Sequence, residues 1–315
     1  SYQWQQSTNG ITWSNIDGAT GVDFSPRNGQ VSQFLQVAVS YVDGQGTSES
    51  LTSAPTSESV EKFGATSDFN GDGSVDIFWR HQNVGESVFW LMDNIDFAGG
   101  DVLSPVISDV NWDIKALGDL NGDGKADLVW QNKATNQAAV WLMDGVTLDS
   151  GALLPNDAAS GWKVVESDDF NNNGKDDLLW RNANTGELAV WFMDGTDFVS
   201  GEFITLNAGL DWEVGAVGDF TKDGKVDIFW ENRITGANAF WEMDGTNFVN
   251  ARMTTSAETI WQAKGSADFN QDGNLDLLWH NPSTGENALW LMDGTDFVAG
   301  VTTLPTTEVS WNPVV

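Results

Sequence analysis

Five segments of this chain space their oxygen-bearing side chains as a hard cation requires. The pattern is Asp-x-Asn-x-Asp-Gly-x-x-Asp, with side-chain oxygens at positions 1, 3, 5 and 9 and a backbone carbonyl available at position 7. It runs from Asp68 to Asp76, Asp119 to Asp127, Asp169 to Asp177, Asp219 to Asp227 and Asp268 to Asp276, with single departures in the third and fourth copies. Calcium takes about six to eight oxygen ligands in a pliant cage, and glycine at position 6 permits the sharp turn around it. Carboxylates aimed at one point about 4 Å apart repel by about 1–4 kcal/mol per pair. No matching set of five cationic side chains is present to offset that repulsion. The competing reading, acidic turns without metal, leaves it uncompensated. An EF-hand would need Glu at position 12 and flanking helices. Position 12 is Trp79, Trp130, Trp180, Trp230 or Trp279, and the flanks read as strands, so the EF-hand is excluded.

The elements that must position these loops follow from their spacing. The first aspartates recur 51, 50, 50 and 49 residues apart, a fixed period that points to repeated units. The third repeat is the clearest. Trp162 to Glu166 leads into the loop, and Asp177-Leu-Leu-Trp180 leaves it as a short strand. Asn182 to Glu187 turns the chain, Ala189 to Met193 forms another strand, Asp194-Gly195 turns again, and Phe198 to Leu206 supplies the last strand. Four short strands with turn signals and no helical period describe a β-propeller blade. A unit of about 50 residues cannot bury both faces alone, so neighbouring sheets must cover each other.

The expected fold class is therefore all-β: a five-bladed propeller of four-stranded blades over 57–315, preceded by a short β module over 1–56. The C-terminal Trp311-Asn-Pro-Val-Val315 restarts the repeat, and the first repeat carries Glu61 at the leading tryptophan position. The tail is expected to close the ring in the first blade; the alternative is that it opens a sixth repeat. The 17 tryptophans fall on three stations, apart from Trp4 and Trp13. These are Trp112, Trp162, Trp212, Trp261 and Trp311; Trp79, Trp130, Trp180, Trp230 and Trp279; and Trp90, Trp141, Trp191, Trp241 and Trp290. Recurrence on every repeat favours packing between blades over sugar stacking.

Composition narrows the partners. The chain has 315 residues, 14 Lys plus Arg against 46 Asp plus Glu, and a formal charge of −32. Such a polyanion is repelled by phosphate backbones and anionic membranes, which argues against nucleic acid as a partner. Seventeen Trp and 17 Phe argue against disorder, since a buried aromatic covers roughly 150–250 Å². Without cysteine there are no disulfides or thiolate metal sites. No apolar run of about 18 residues occurs, so no helical membrane insertion is expected. The chain opens inside what reads as a strand, which suggests part of a larger polypeptide.

In the N-terminal module Leu35, Val37, Val39 and Tyr41 alternate with polar or small residues, the pattern of a half-buried strand. Tyr2-Gln-Trp-Gln5, Trp13-Ser-Asn-Ile16 and Ser40 to Gly46 resemble part of a bacterial immunoglobulin-like or cadherin-like module. The stretch Thr52 to Ser59 reads as a linker.

The loops resemble the calcium-binding hairpins of FG-GAP repeats, found in integrin α-subunits, and of bacterial FG-GAP-like or VCBS repeats. The resemblance covers about residues 60–315. It implies up to five Ca²⁺, one per blade, held through these residues: Asp68, Asn70, Asp72, Ser74 and Asp76; Asp119, Asn121, Asp123, Lys125 and Asp127; Asp169, Asn171, Asn173, Lys175 and Asp177; Asp219, Thr221, Asp223, Lys225 and Asp227; and Asp268, Asn270, Asp272, Asn274 and Asp276. The position-7 residue in each set contributes its carbonyl. Asn173 lacks a charge and Thr221 is short, so the third and fourth loops are expected to bind most weakly.

No catalytic residue is assigned. His81 and His280 occupy neighbouring repeat positions without triad partners and read as exposed turn-side residues. Two carboxylates suffice for glycoside hydrolysis, and Glu166, Glu213, Glu231 and Glu242 are the acids that break the repeat. The position after the second-station Trp runs Arg80, Gln131, Arg181, Glu231, His280, too variable for a shared ligand contact. Asn132, Asn182, Asn232 and Asn281 recur, as do Asp93, Asp144, Asp194, Asp244 and Asp293, and turn chemistry explains both sets. The resemblance implies a secreted or cell-surface, calcium-binding recognition or adhesion module that binds a glycan or a protein surface ligand. The alternatives are a purely structural module and a glycosidase-like enzyme.

Overall fold

The computed structural model describes residues 1–7, 9–16, 19–21, 34–42, 44, 46, 48–56, 67–70, 74–155, 161–302 and 304–315. The chain divides into two compact units, Ser1–Phe63 and Gly64–Val315.

In the first unit β1 (Tyr2–Ser7), β2 (Ser14–Asn15), β3 (Phe34–Val42) and β4 (Ser48–Thr52) form one antiparallel sheet in the order β2-β1-β3-β4. Its core is small: Ile16, Ala19 and Leu35, with Trp4 packed on them. The alternation expected along β3 is only partly realised, because Leu35 and Gln36 are both buried while Tyr41 is exposed. Gln36 tolerates burial by donating to Gln5 Oε1 at 2.8 Å. The expected linker also needs correction. Ser53 N–H donates to the Val37 carbonyl and Thr56 N–H to the Leu35 carbonyl, so residues 53–56 extend this unit, while 57–59 lie outside the described residues.

The second unit holds five four-stranded antiparallel sheets. Blade one contains β5 (Ile77–His81), β6 (Ser87–Asp93) and β7 (Asp96–Val102). Blade two contains β8 (Trp112–Gly118), β9 (Asp127–Asn132), β10 (Ala138–Asp144) and β11 (Thr147–Leu153). Blade three contains β12 (Trp162–Asp168), β13 (Asp177–Asn182), β14 (Leu188–Asp194) and β15 (Asp197–Ile204). Blade four contains β16 (Trp212–Gly218), β17 (Asp227–Asn232), β18 (Asn238–Asp244) and β19 (Asn247–Thr254). Blade five contains β20 (Gln262–Ala267), β21 (Asp276–His280), β22 (Asn287–Asp293) and β23 (Asp296–Val301). The last strand, β24 (Trp311–Val314), completes blade one by pairing with β5 in the register Trp311↔His81 to Val314↔Phe78.

That pairing closes a ring. The inner strands touch in one cycle, β8 to β12, β12 to β16, β16 to β20, β20 to β24 and β24 back to β8. A closed five-bladed β-propeller follows, joined by its tail; the inner strands keep one short free edge each, turned to the axis and sheltered by the neighbouring blades. Glu61, the anomalous leading position of the first repeat, lies outside the described residues.

The tryptophan stations hold the blades together. The second-station residues Trp79, Trp130, Trp180, Trp230 and Trp279 are each 1% exposed. Each tilts onto its third-station partner, as in Trp79–Trp90 at 4.5 Å and Trp279–Trp290 at 4.6 Å between ring centroids. The blade-one ring of Phe78 meets blade-two Trp130 edge-on at 6.1 Å, and Phe229 meets Trp279 likewise at 6.0 Å. One core cluster accordingly joins Phe78 and Phe89 of blade one to Leu128 and Trp130 of blade two. Aromatic pairs of this kind add about 0.5–1.5 kcal/mol beyond area burial.

Candidate metal centre

Each loop leads into the second strand of its blade (β5, β9, β13, β17 or β21), following the inner strand in blades two to five, whereas blade one takes its inner strand, β24, from the C-terminus; the five therefore share one rim. The backbone bends through two left-handed residues, at positions 4 and 6. These are Gly122 and Gly124 (φ 79° and 84°), Asn172 and Gly174 (57° and 85°), Lys222 and Gly224 (59° and 80°), and Gln271 and Gly273 (59° and 83°). Only glycine takes such angles freely, which accounts for the constant residue at position 6. The bend aims successive N–H groups inward. Asp119 at position 1 accepts from Gly122 N at 2.7 Å and Asp123 N at 3.0 Å through Oδ1, and from Gly124 N at 2.8 Å through Oδ2. Asp169, Asp219 and Asp268 repeat this with the N–H groups of positions 5 and 6.

Position 5 accepts from the N–H of position 7 in each of the four fully described loops: Asp123 from Lys125 at 3.0 Å, Asn173 from Lys175 at 2.8 Å, Asp223 from Lys225 at 3.0 Å and Asp272 from Asn274 at 2.8 Å. At position 3, Asn121 and Asn270 each accept from the position-5 N–H, at 2.8 and 3.0 Å. Asn171 instead turns its amide onto Asp177 Oδ2 at 2.9 Å, and Thr221 donates its N–H to Asp227 Oδ2 at 3.0 Å.

Position 9 is the most buried. Asp76, Asp127, Asp177, Asp227 and Asp276 all show 0% exposure. One oxygen of each caps the backbone N–H of a methionine on the third strand: Met92, Met143, Met193, Met243 and Met292, at 2.9–3.1 Å. That strand is bulged at the methionine in every blade, so its N–H turns towards the loop. Burial pushes the carboxyl up, to about 7 at Asp127, Asp177 and Asp276 and about 6 at Asp227. Burial likewise raises Asp119, Asp219 and Asp268.

The three lysines at position 7 make their ion pairs outside their loops. Lys125 pairs with Asp144 at 2.8 Å, Lys225 with Asp244 at 2.9 Å, and Lys175 with Asp194. The Met-Asp turns therefore anchor position 7 by its side chain. Among the described residues no three acidic, His or Cys side chains converge on one point. Each loop mixes two or three carboxylates with neutral amide, hydroxyl and carbonyl oxygens, and the loop's own N–H groups occupy the carboxylates. Of the first loop, Asp68, Asn70, Ser74 and Asp76 are described and Asp72 is not. An all-oxygen, partly anionic donor set on a flexible loop fits a hard divalent cation such as calcium, with positions 1, 3, 5 and 9 and the position-7 carbonyl as holders.

Other residues singled out in the sequence take structural places. His280 is buried, contrary to the exposed setting expected of it, and its Nδ1 meets Asn287 Oδ1 at 2.8 Å. Burial lowers its basicity. His81 stands where other blades carry the turn asparagine: its Nδ1 accepts from Asn83 N and Val84 N at 3.2 and 3.3 Å. Asn132, Asn182 and Asn232 accept from the same pair of turn N–H groups, and Asn281 from Ser283 N. The variable position after the second-station Trp reaches the next blade. Arg80 Nε donates to the Trp112 carbonyl at 3.0 Å, Gln131 Nε2 to the Trp162 carbonyl at 3.1 Å, and Glu231 accepts from Ala263 N at 3.2 Å. Glu231 and Glu213 face each other in register, and both meet Arg233, at 2.7 and 3.5 Å. Glu166 is buried on β12, and Glu242 pairs with Arg252.

A cleft of about 320 Å³ opens between blades three and four beside these loops. Phe192, Glu202, Lys225, Asp244, Thr246 and Asn247 line it, with Thr246 donating to Glu202 Oε2 across the blades at 2.9 Å. Its one mark in the sequence is Phe192, standing where blades one, two and five carry leucine (Leu91, Leu142, Leu291).

Comparison with known proteins agrees with the repeat. The FG-GAP-like repeat model matches three overlapping stretches, 68–130, 119–180 and 169–230. Together they run over 68–230, just over half of the chain, and the chain belongs to the FG-GAP-like repeat family. Residues 1–61 match a domain of unknown function, DUF8696. That match, with the single small sheet, replaces the immunoglobulin-like or cadherin-like resemblance. No curated protein matches the chain. Among solved structures, a nidogen/laminin complex is 9% identical with a TM-score of 0.40, covering 71% of this chain and 92% of that one. A protein of unknown function from Bacteroides caccae is 10% identical with a TM-score of 0.40, covering 72% and 73%. A putative 6-phosphogluconolactonase from Bacteroides uniformis is 10% identical with a TM-score of 0.37, covering 99% of each chain. Superpositions this loose say nothing about ligands or reactions.

Proposed function

We propose that this chain is a calcium-stabilised recognition module, secreted or displayed at a cell surface, whose propeller binds a glycan or a protein ligand. The observation that carries the calcium part is the repetition on one rim of the same donor set on the same doubly left-handed loop. Weak loops of this type suit the calcium level outside cells better than the level within. The charge of −32 favours cations and disfavours nucleic acid.

Recognition of a neutral sugar is supported by the cleft between blades three and four, where an aromatic face at Phe192 adjoins hydrogen-bonding groups at Glu202, Thr246 and Asn247. No catalytic role is proposed: Glu213 and Glu231 are both engaged by Arg233. The test is a glycan array probed with the purified chain in calcium and again in EDTA. Specific binding that disappears in Phe192→Ala and Glu202→Ala supports the reading. No glycan bound in calcium would leave a structural module as the better account.

A further inference from the structure

The five loops are not independent of one another. In the four fully described loops position 4 is held in the left-handed region and approaches the loop of the next blade. Asn172 Nδ2 donates to the carbonyl of Gly224, position 6 of the fourth loop, at 2.8 Å. Gln271 Nε2 reaches Ser74 Oγ, position 7 of the first loop, at 3.5 Å, across the point where the ring closes. Lys222 lies within electrostatic reach of Asp272, position 5 of the fifth loop. At Gly122 the backbone itself makes the approach: a Cβ there would sit 3.3 Å from Lys175 Cγ and 3.4 Å from the Gly174 carbonyl oxygen. Gly71, position 4 of the first loop, lies outside the described residues.

Both hydrogen bonds, and the close backbone approach at Gly122, run in one direction, from position 4 of one loop onto positions 6 and 7 of the next, and Lys222 is placed to act on position 5 in the same sense. Those positions carry two of the oxygens offered to the cation. A second link joins loops two and three. Asp176 of the third loop accepts from Asp119 N through Oδ2 and donates its own N–H to the Asp119 carbonyl, both at 2.9 Å. Position 8 is apolar in the other loops (Val75, Ala126, Val226, Leu275), so this buried acid is an addition to the repeat.

We propose that the position-4 residues are positioning residues for the neighbouring loop, and that the cation sites therefore fill cooperatively around the rim. The inference rests on the calcium reading above. An ion in one loop fixes the bend that carries position 4. The side chain or backbone there then holds the next loop's ligand segment in place, so less conformational entropy remains to be lost when that loop binds. By linkage the effect is mutual between neighbours. Asn172 and Gln271 are the couplers that can be removed without touching a metal-holding oxygen.

The experiment is a calorimetric titration of the full chain with CaCl2 at constant ionic strength, repeated on Asn172→Ala and Gln271→Ala, with calcium-free melting curves for all three proteins. Cooperative filling with a Hill coefficient of about 1.5–2 is expected. Each variant should bring it towards 1 and weaken apparent affinity about fivefold, with stoichiometry unchanged and the calcium-free melting temperature lowered by no more than a few degrees, the cost of the lost hydrogen bond and of alanine at a left-handed position. A Hill coefficient of 1 in the unaltered chain, or a coefficient above 1 that neither variant moves, overturns the coupling and leaves calcium binding intact. Absence of any calcium-dependent heat removes the reading beneath it as well.

Discussion

The carboxylate of Asp127 accepts a hydrogen bond from the backbone N–H of Met143 at 2.9 Å, with both groups buried. The aspartate thus has a second task beside any metal: it satisfies the N–H that the bulge takes out of the ladder. In Asp127→Ala that N–H is buried without a partner, at a cost of about 1–3 kcal/mol. The melting temperature in calcium-free buffer should fall by about 3–8 °C. Asp127→Asn keeps an acceptor oxygen and should fall by less. Scanning calorimetry of the two variants in EDTA checks the order.

His81 performs an asparagine's work. Its Nδ1 receives two turn N–H groups, and its Nε2 meets Ser310 Oγ at 3.0 Å beside the closing strand β24. His81→Asn should therefore stay within about 1 kcal/mol of the natural chain, since Asn132 shows the turn accepts it. His81→Leu removes every acceptor and should lose about 1–3 kcal/mol by urea denaturation.

Glu166 occupies a position where the neighbouring blades carry Ala116 and Ala216. Burial, then the nearby Asp168, pushes its carboxyl well above the ordinary range, against weaker pulls from Lys264 and the Ser167 N–H. A carboxyl raised on folding favours the folded state while protonated. That advantage is lost as the pH climbs above the unfolded value. Glu166→Gln should consequently melt a few degrees higher than the natural chain at pH 7.5 and at the same temperature near pH 4. Melting curves across that range decide it; a gap that is constant with pH would contradict the assignment.

Much of this architecture was legible because the repeat writes each element five times. The blade boundaries, the tryptophan stations and the closing role of Trp311 to Val315 all follow from the period and from the need of each sheet for a cover. What could not be read is where a side chain's partner lies far along the chain. His280 reads as exposed because its turn is exposed, yet its ring is buried edge-on to Trp79 of blade one, 6.0 Å between centroids and far back along the chain. The residue after the second-station Trp varies because arginine, glutamine and glutamate each reach the next blade in a different way, as Arg80, Gln131 and Glu231 do. The N-terminal module was legible as β structure but not by family, because a short stretch of alternating residues fits many small sheets. The donor atoms of the loops were legible, but their preoccupation with the loops' own N–H groups was not.

Stabilisation by calcium is the claim on which the account turns, and melting in 2 mM CaCl2 against EDTA tests it most directly. At the dissociation constants of about 0.1–1 mM typical of extracellular calcium modules, 2 mM calcium adds about 0.6–1.8 kcal/mol per filled loop, so five loops together should raise the melting temperature by about 6 °C or more. The rise should shrink in the double variant Asp119→Ala, Asp268→Ala. Superimposable curves with and without calcium would contradict the account.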